Sequence, residues 1–242
     1  MISITTEQMR TVDDLAINKY HITLKQMMEL AGFNLAGLAR YLSGSNLNNK
    51  KIVILAGKGN NGGGGLVSAR HMSNLGAEVK IVLSQKKDLK KAVLHQVKIL
   101  QKMNLIIEYF DEKINLDKIF QNSDLIVDAL IGYNLKGNPN GPVSDMIKAV
   151  NDSNSLVLSL DVPSGFDSEK DLVSLPCIKA DYTMTLALPK KGFFNKDNLK
   201  YIGTIYIADI GIPPILFNEL NISVGNLFDN YLSITNCREL MV

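Results

Sequence analysis

The sequence is poor in the residues that build metal clusters and disulfide frameworks. It has two cysteines, Cys177 and Cys237, and three histidines, His21, His71 and His95, all far apart along the chain. This spacing matches no zinc-binding cluster, so a metal site made of histidine and cysteine is not expected. The low cysteine content also fits a reducing compartment, and we expect a cytoplasmic protein.

Long apolar runs and a strong charge of either sign are missing as well. Because no stretch of about 18 apolar residues occurs, no membrane span is expected. Residues 1–7 lack a basic region followed by an apolar one, so no secretory signal is expected either. Lysine and arginine total 26 against 24 aspartate and glutamate, and this balance gives no argument for a nucleic-acid partner.

Two helices are predicted before residue 43. Residues 5–8 and 23–26 both read as capping boxes, in which a threonine is followed three positions later by glutamine, and apolar residues then recur on one helical face. Residues 43–49, rich in serine, glycine and asparagine, are predicted to form a loop.

From residue 51 onward, short apolar strands alternate with helical patterns. Strands are predicted at 52–56, 79–83, near 105–107, and at 125–130, 156–160, 182–187 and 204–208, and helices at 66–75, 88–103 and 142–150. This alternation predicts an α/β fold, a single three-layer doubly wound Rossmann-like domain with a mainly parallel sheet. We expect residues 1–242 to form one domain, with a helical segment at 5–42, a βαβ core at about 51–215 and a C-terminal extension at 216–242.

The segment from Gly57 to Gly65 is the strongest functional signal. Glycines at a strand–helix junction let the backbone approach a ligand, and the following helix offers free N–H groups to an anion. Asn60 and Asn61 add side-chain amides. The alternative is a glycine-rich turn without a ligand, which the density of glycine and asparagine disfavours.

The glycine segment does not fit the two common nucleotide-binding modes. It formally contains G-x-G-x-x-G, but residues 84–87 after the second strand are Ser-Gln-Lys-Lys and lack the acidic residue that an NAD site uses. A P-loop is excluded because no Gly-Lys-Ser/Thr ends the segment.

Aspartates are predicted at the carboxyl ends of two strands, where parallel sheets bind ligands. Asp128 lies in an apolar stretch and needs a cation or several donors, or else only ties loops together. Asp161 begins the turn Asp-Val-Pro-Ser-Gly, whose proline and glycine should hold it rigidly. Lys136, in the glycine- and asparagine-rich segment 132–138, either helps close a loop over a ligand or is solvated. Ser164 has no nearby histidine, so it is not expected to be a nucleophile.

Taken together, these segments resemble the YjeF N-terminal domain family of NAD(P)H-hydrate epimerases, which includes the apolipoprotein-binding homologue of animals. The matching segments are MMELAG at 27–32, GNNGGGG at 59–65, VDALIG at 127–132, DVPSG at 161–165, the stretch with Asp181, Thr183, Thr185 and Pro189-Lys190, and DIGIP at 209–213. They occur in the family's order over about residues 5–215, and their combination is specific although each is short.

The resemblance implies an enzyme that interconverts the R and S epimers of hydrated NADH and NADPH, supplying the S epimer to a dehydratase. It also implies a doubly wound fold, a homodimer and a bound potassium ion held by Asn61, Asp128 and Ser164. Substrate contacts would come from Asn60, Asn61, Gly62, Gly63, Gly64, Gly132, Tyr133, Asn134, Leu135, Lys136, Gly137, Asn138 and Asp161. Because no dehydratase pattern follows, a separate dehydratase is the expected functional partner.

The proposed chemistry assigns Asp161 as the acid/base, assisted by Lys136. We expect Asp161→Asn to lower epimerisation at least about 10²-fold with little change in fold stability. One position departs from the family pattern, because Gly64 replaces the aspartate of its glycine loop. That departure favours the alternative of a non-catalytic module that binds a nucleotide or a protein. An NAD-dependent dehydrogenase is disfavoured by the missing acidic residue after the second strand.

Overall fold

A sheet of eight strands lies at the centre of the protein. The computed structural model describes residues 2–111, 113–168, 172–225, 227 and 234–236, and the structural statements below concern those residues. Within them, no helix is long and apolar enough to cross a membrane.

The strands are β1 (Lys51–Ala56), β2 (Glu78–Leu83), β3 (Ile107–Tyr109), β4 (Leu125–Ala129), β5 (Leu156–Leu160), β6 (Phe166–Asp167), β7 (Leu172–Val173), β8 (Tyr182–Leu186), β9 (Thr204–Ala208) and β10 (Ile234–Asn236). The α-helices are α1 (Thr6–Asn18), α2 (Leu24–Leu42), α3 (Asn60–Asn74), α4 (Lys91–Lys102), α5 (Leu116–Phe120), α6 (Gly141–Asp152), α7 (Leu199–Ile202) and α8 (Pro214–Asn218). Short 3-10 helices span Lys191–Phe194 and Lys196–Asn198.

The strand order confirms the predicted doubly wound α/β fold. In the large sheet the order is β10-β9-β8-β5-β4-β1-β2-β3, and every neighbouring pair is parallel except β10 with β9. The chain runs from β1 outward to β3 and then returns to β4 on the other side of β1. The winding therefore reverses between β1 and β4, and the carboxyl ends of these two strands border the crevice where such sheets bind ligands.

Both faces of the sheet are covered by helices, as the apolar strands predict. Ile52 and Ile54 of β1 pack with α2, α3 and α4, whereas Val53 and Leu55 pack with α5 and α6 on the opposite face. Successive residues of a strand point to opposite faces, so a strand covered on both sides must be apolar throughout.

The N-terminal helices begin where the sequence predicts. Thr5 and Thr23 both form complete capping boxes with the glutamine three residues later. Apolar residues of α1 form a cluster with α8 and with the segment after β8. This cluster holds α1 across the carboxyl end of the sheet, although α1 precedes the sheet in sequence.

Several elements differ from the sequence prediction. The third strand lies at 107–109 instead of near 105–107, and the elements α5, α7, α8, β6, β7 and β10 and the two 3-10 helices were not predicted. These pieces have two to five residues, too short for a periodic pattern to reveal them. The C-terminal extension predicted at 216–242 is described only in part. Its residues Leu216 and Phe217 are buried against α1, and the division of the chain into segments stays a prediction.

Candidate active site

The glycine segment is mostly helix, which corrects the sequence prediction that the helix begins at Leu66. Helix α3 starts at Asn60, and no side chain caps its N-terminus at Gly59. Glycine has a low intrinsic helix propensity, so the sequence pattern hides this first turn. The unpaired N–H groups of the turn, together with the helix dipole, provide a site for an anion such as a phosphate.

Close packing, not unusual backbone torsion, explains the glycines of this segment other than Gly59. None between Gly57 and Gly65 has a positive φ. A Cβ atom on Gly62 would overlap the carbonyl of Gly57, and one on Gly65 would lie 2.5 Å from the Cβ of Ala129. The small residues therefore let α3 pack directly against the ends of β1 and β4.

A cavity of about 380 Å³ opens beside the first turn of α3, at the carboxyl end of the sheet. This volume is within the range of small-molecule sites. One wall is apolar and is formed by Met9, Leu24, Met27, Met28, Ala31, Leu130, Ile131, Leu160, Leu186 and Ile210. The polar lining consists of Asp13, Lys58, Gly59, Asn60, Asn61, Gly64, Lys90, Gly132, Tyr133, Asn134 and Asp161. Such a surface suits an amphipathic ligand with a flat ring and anionic groups.

Asp161 occupies a constrained position at the end of β5. Its backbone has a φ of +70°, which is uncommon for a residue other than glycine, and the amide of Val162 donates to the carbonyl of Leu160 across a three-residue turn. Ala187 after β8 has a φ of +63° and a matching turn. Backbone strain of this kind concentrates at functional sites, and here it directs the Asp161 carboxylate into the cavity.

Lys190 is the charged partner of Asp161. Its Nζ lies 2.9 Å from Asp161 Oδ1, and the side chains are 1% and 5% exposed. The ammonium also donates to Thr185 Oγ1 at 3.1 Å and to the carbonyls of Leu186 at 3.0 Å and Leu188 at 3.1 Å. Since its three hydrogens serve those acceptors, the contact with Asp161 is ionic, and Oδ1 accepts no aligned hydrogen bond within the described structure.

Tyr133 connects Asp161 with a second carboxyl group. Its backbone N–H donates to Asp161 Oδ2 at 3.0 Å, and its hydroxyl donates to Asp13 Oδ2 at 2.6 Å. The ammonium of Lys190 lies 6.0 Å from the centre of its ring, a distance at which a cation is attracted to the aromatic face. Asp13, Tyr133, Asp161 and Lys190 thus form one charged cluster, hereafter the carboxylate cluster.

Burial changes the proton affinity of two members of this cluster. It raises the pKa of Asp13, an effect that the nearby charge of Asp161 reinforces and that Tyr133 and Lys190 partly offset. Burial and the adjacent Asp13 carboxylate raise the pKa of Tyr133 well above its usual range. Tyr133 therefore remains protonated at physiological pH, whereas Asp13 holds a proton more readily than an exposed aspartate does.

Asp128 lies behind the cavity and is fully buried. One carboxylate oxygen accepts from Ser164 Oγ at 2.6 Å and from the Leu130 amide at 3.2 Å. The other accepts from Ser159 Oγ and from the Ser164 amide, both at 2.8 Å. Burial raises the pKa of Asp128 in spite of these donors, and none of the described lysine, arginine or histidine side chains forms an ion pair with it.

The three potassium ligands expected from the resemblance are only partly joined by direct contacts. Asp128 and Ser164 are hydrogen-bonded, whereas the Asn61 amide donates to the Leu160 carbonyl at 3.2 Å. The Asn61 side chain adjoins Gly132, and the preceding amide, that of Ile131, donates to Ser164 Oγ at 2.8 Å. Amide, hydroxyl and carboxylate oxygens are ligands suited to a hard cation, and the unpaired charge of Asp128 is compatible with one. The residues fit potassium, and the site stays a prediction.

The predicted substrate-binding residues divide into two groups. Those that line the cavity are Asn60, Asn61, Gly64, Gly132, Tyr133, Asn134 and Asp161. Those outside the lining are Gly62, Gly63, Leu135, Lys136, Gly137 and Asn138. Lys136 is exposed on the loop after β4, so its role as the assistant of Asp161 stays a prediction without a contact to support it.

Lys190 and Asp13 are members of the cluster to which sequence reasoning assigned no role. Lys190 follows Pro189 in one of the segments that carry the resemblance, but a single lysine in a sequence is normally solvated. Asp13 lies four residues after Met9, on the face of α1 that also carries Val12. An acidic residue beside the apolar stripe of an amphipathic helix is the signal that sequence reasoning overlooked.

The fold and the cavity define a class of protein: a doubly wound α/β protein with a site for a small nucleotide-like ligand at its switch point. Comparison with known sequences gives the family. The family described as "YjeF-related protein N-terminus" matches residues 24–192, and the chain belongs to this family.

Individual relatives cover most of the chain. It is 36% identical to the NAD(P)H-hydrate epimerase of Dehalogenimonas lykanthroporepellens over 89% of the chain and 84% of that protein. It is 35% identical to the "Bifunctional NAD(P)H-hydrate repair enzyme Nnr" of Moorella thermoacetica over 88% of the chain but only 41% of that protein. The crystal structure of yeast ynu0, YNL200c, is 24% identical and superposes with a TM-score of 0.84 over 98% of the chain and 100% of the yeast protein. The yeast structure supports the fold.

Proposed function

We propose that the protein is an NAD(P)H-hydrate epimerase, which interconverts the R and S epimers of hydrated NADH and NADPH. The observation that carries this function is the buried Asp161–Lys190 pair at the wall of the switch-point cavity. Two relatives that the chain matches over 84% and 88% of their length are named NAD(P)H-hydrate epimerase.

The charges around the cavity suggest how the substrate lies. The uncapped N-terminus of α3 attracts the phosphates, and the exposed side chains of Lys58 and Lys90 add positive charge at the same side. The backbone N–H of Lys90 donates to the carbonyl of Lys58 at 3.0 Å, which holds the two residues together. With the phosphates there, the altered ring lies against the apolar wall near Asp161.

In the proposed reaction, the carbon that bears the hydroxyl group beside the ring nitrogen is inverted. A general acid protonates the departing hydroxyl, or assists ring opening, and the oxygen returns to the other face. Asp161 is our acid/base, since it lines the cavity and its position is fixed by the strained turn after β5. Lys190, not the exposed Lys136, is the cation that forms an ion pair with Asp161.

Potassium, when bound, would be held by Asn61, Asp128 and Ser164 and would add fixed positive charge beside the glycine segment. Asp128 ties the ends of β4 and β5 together through Ser159 and Ser164. A cation next to this carboxylate would offset the cost of ionising a buried group.

The alternative function is binding without catalysis. The observation that favours it is Gly64, which lines the cavity and provides no carboxylate there. An epimerase and a binding module would bind the same ligand, but only the epimerase would convert one epimer into the other.

The deciding experiment follows R-enriched hydrated NADPH by chromatography with and without the purified chain. We expect the enzyme to accelerate appearance of the S epimer above the spontaneous rate. Tight binding of NADP in calorimetry combined with no acceleration would establish the binding module instead.

Homodimer formation, a cytoplasmic location and a dehydratase partner that consumes the S epimer remain predictions from the resemblance. The bifunctional relatives, of which the chain spans about two fifths, combine repair activities in one polypeptide. Sedimentation of the purified chain tests the dimer directly.

A further inference from the structure

When a ring carbon is epimerised by loss and return of its hydroxyl group, protons are transferred on both faces of the ring. In the proposed reaction, the C–O bond breaks as the ring nitrogen donates its electron pair to form a C=N bond, and the hydroxyl leaves as water with one added proton. Water then attacks the opposite face, the electron pair returns to nitrogen, and one proton is released. A single carboxyl group is positioned on one face only, so a second acid/base would assist the step on the other face.

Asp13 is placed to be that second group. It lines the cavity from α1, a different element from the one that carries Asp161. Tyr133 holds Asp161 through its backbone N–H and Asp13 through its hydroxyl, so the two carboxylates bind opposite ends of one residue. Both carboxylates line the same cavity, each from a different element of the fold.

We propose that Asp13 is a second catalytic acid/base of this cavity, acting on the ring face opposite Asp161. The proposal rests on the epimerase function. In each turnover one carboxyl group delivers a proton to the departing hydroxyl and the other removes a proton from the attacking water. The two groups exchange protonation states, and the reverse reaction uses the same groups in exchanged roles.

The surroundings of Asp13 suit this role and differ from those of the next residue. Burial raises its pKa, which brings a carboxyl group closer to the pH at which it both gives and accepts protons efficiently. Its neighbour Asp14 is exposed and accepts a hydrogen bond from Asn18 of the same helix at 2.6 Å. Adjacent aspartates on α1 therefore have different surroundings, and Asp14 provides a matched control.

The alternative is that Asp13 only positions Tyr133. Two variants separate these roles, because Asp13→Asn removes the acid while keeping an acceptor for the tyrosine, whereas Tyr133→Phe removes the hydrogen bond and keeps the acid. A positioning role predicts a loss in Tyr133→Phe at least as large as that in Asp13→Asn. A catalytic role predicts a kcat loss of about 10²–10⁴-fold in Asp13→Asn and a much smaller loss in Tyr133→Phe.

The experiment measures kcat and KM for the full chain and its variants on R-enriched hydrated NADPH. We expect Asp13→Asn to lose kcat with KM nearly unchanged, and Asp14→Asn to match the parent. We also expect added formate to restore activity to Asp13→Ala in proportion to its concentration, with chloride at equal ionic strength as the control. Full kcat in Asp13→Asn, or equal losses in Asp13→Asn and Tyr133→Phe without formate rescue, overturns the proposal.

A second measurement tests the proposal even if the Asp13 variants fail to fold. Tyr133, Asp161 and Lys190 are the groups whose hydrogen bond or charge acts on the Asp13 carboxyl, and the Tyr133 hydrogen bond lowers its pKa. Tyr133→Phe should therefore shift one limb of the pH–rate profile to higher pH, while the unchanged backbone N–H of residue 133 still binds Asp161. An unshifted profile contradicts the proposal. If the parent chain is inactive, the proposed epimerase function is wrong. If the parent and the Asp13→Asn variant are both active, only the proposed role of Asp13 is wrong.

Discussion

The ammonium Nζ of Lys190 lies 2.9 Å from Oδ1 of Asp161, and both side chains are almost fully shielded from solvent. This pair changes one expectation from the sequence, that Asp161→Asn would leave fold stability unaltered. Replacing one partner leaves the other charge buried and unpaired, which typically costs about 3–5 kcal/mol.

We therefore predict that Asp161→Asn loses both activity and stability. Turnover should fall at least about 10²-fold, because the amide lacks acid/base capacity. Lys190→Met should also destabilise the fold, and the double variant should be less destabilised than the sum of the single changes, with a coupling of about 0.5–3 kcal/mol. Urea unfolding of the four proteins measures this cycle. Additive losses would mean that the pair contributes no coupling energy.

A second prediction concerns the packing of the glycine segment. A Cβ at Gly62 would overlap the carbonyl of Gly57, whereas one at Gly59 has no atom within 4 Å. We predict that Gly62→Ala destabilises the fold by at least about 1–3 kcal/mol and weakens NADP binding, because α3 must shift away from β1. Gly59→Ala, where φ is −96°, is the control and should change stability by less than about 1 kcal/mol. Similar effects at both positions would refute the packing argument.

The general position of the site was predictable from sequence. Apolar strands that alternate with helices give a parallel sheet, and ligands bind at the carboxyl ends of its strands. Asp128, Asp161 and the glycine segment follow directly after apolar runs, so they could be placed at one edge. Their arrangement at that edge follows from the strand order, which the sequence pattern does not contain.

Tertiary contacts explain what the sequence did not predict. The sequence around Lys190 gives no sign that the residue is buried. Its burial results from the turn at Ala187 and from the three oxygen atoms that accept hydrogen bonds from its ammonium group. Asp13 meets Tyr133 across 120 residues of sequence. Helix α3 extends through its glycines because packing against Gly57 and Ala129 outweighs a poor helix propensity.

A third prediction concerns potassium. A cation that binds only the folded state raises stability, by about 2.7 kcal/mol at a concentration of 100 times Kd. We expect a higher Tm in potassium chloride than in choline chloride at equal ionic strength, and no such difference in Asp128→Asn. Asp124→Asn is the control, because Asp124 precedes the same strand but bonds the Lys51 amide and Lys50 at its other end.

The potassium effect should also depend on pH with a definite sign. Burial raises the pKa of Asp128 above its unfolded value, so the cost of ionising it is absent at low pH and grows as the pH rises to the folded pKa. A cation offsets this cost, and the stabilisation should therefore be larger at neutral than at acidic pH. Equal Tm values in the two salts at neutral pH would contradict the site.

The last prediction concerns Gly64, where the chain departs from the family pattern. Gly64 lies within α3, its φ is not positive, and it lines the cavity. A Cβ there would lie 2.9 Å from Leu160 Cδ2, the end of a flexible side chain that is able to move. The backbone therefore tolerates an aspartate.

We predict that Gly64→Asp lowers KM and leaves kcat nearly unchanged, because a carboxylate that holds a substrate hydroxyl binds ground and transition states alike. A hydrogen bond to a charged group is worth about 1.5–3 kcal/mol, or roughly 10- to 150-fold in KM. Gly64→Asn, which introduces a neutral side chain of the same shape, is the matched control and should lower KM less than Gly64→Asp does. Steady-state kinetics on mixed epimers of hydrated NADPH measure both. A large rise in kcat at constant KM would instead place the introduced carboxylate in the chemistry, and Asp161 would then no longer be the principal acid/base.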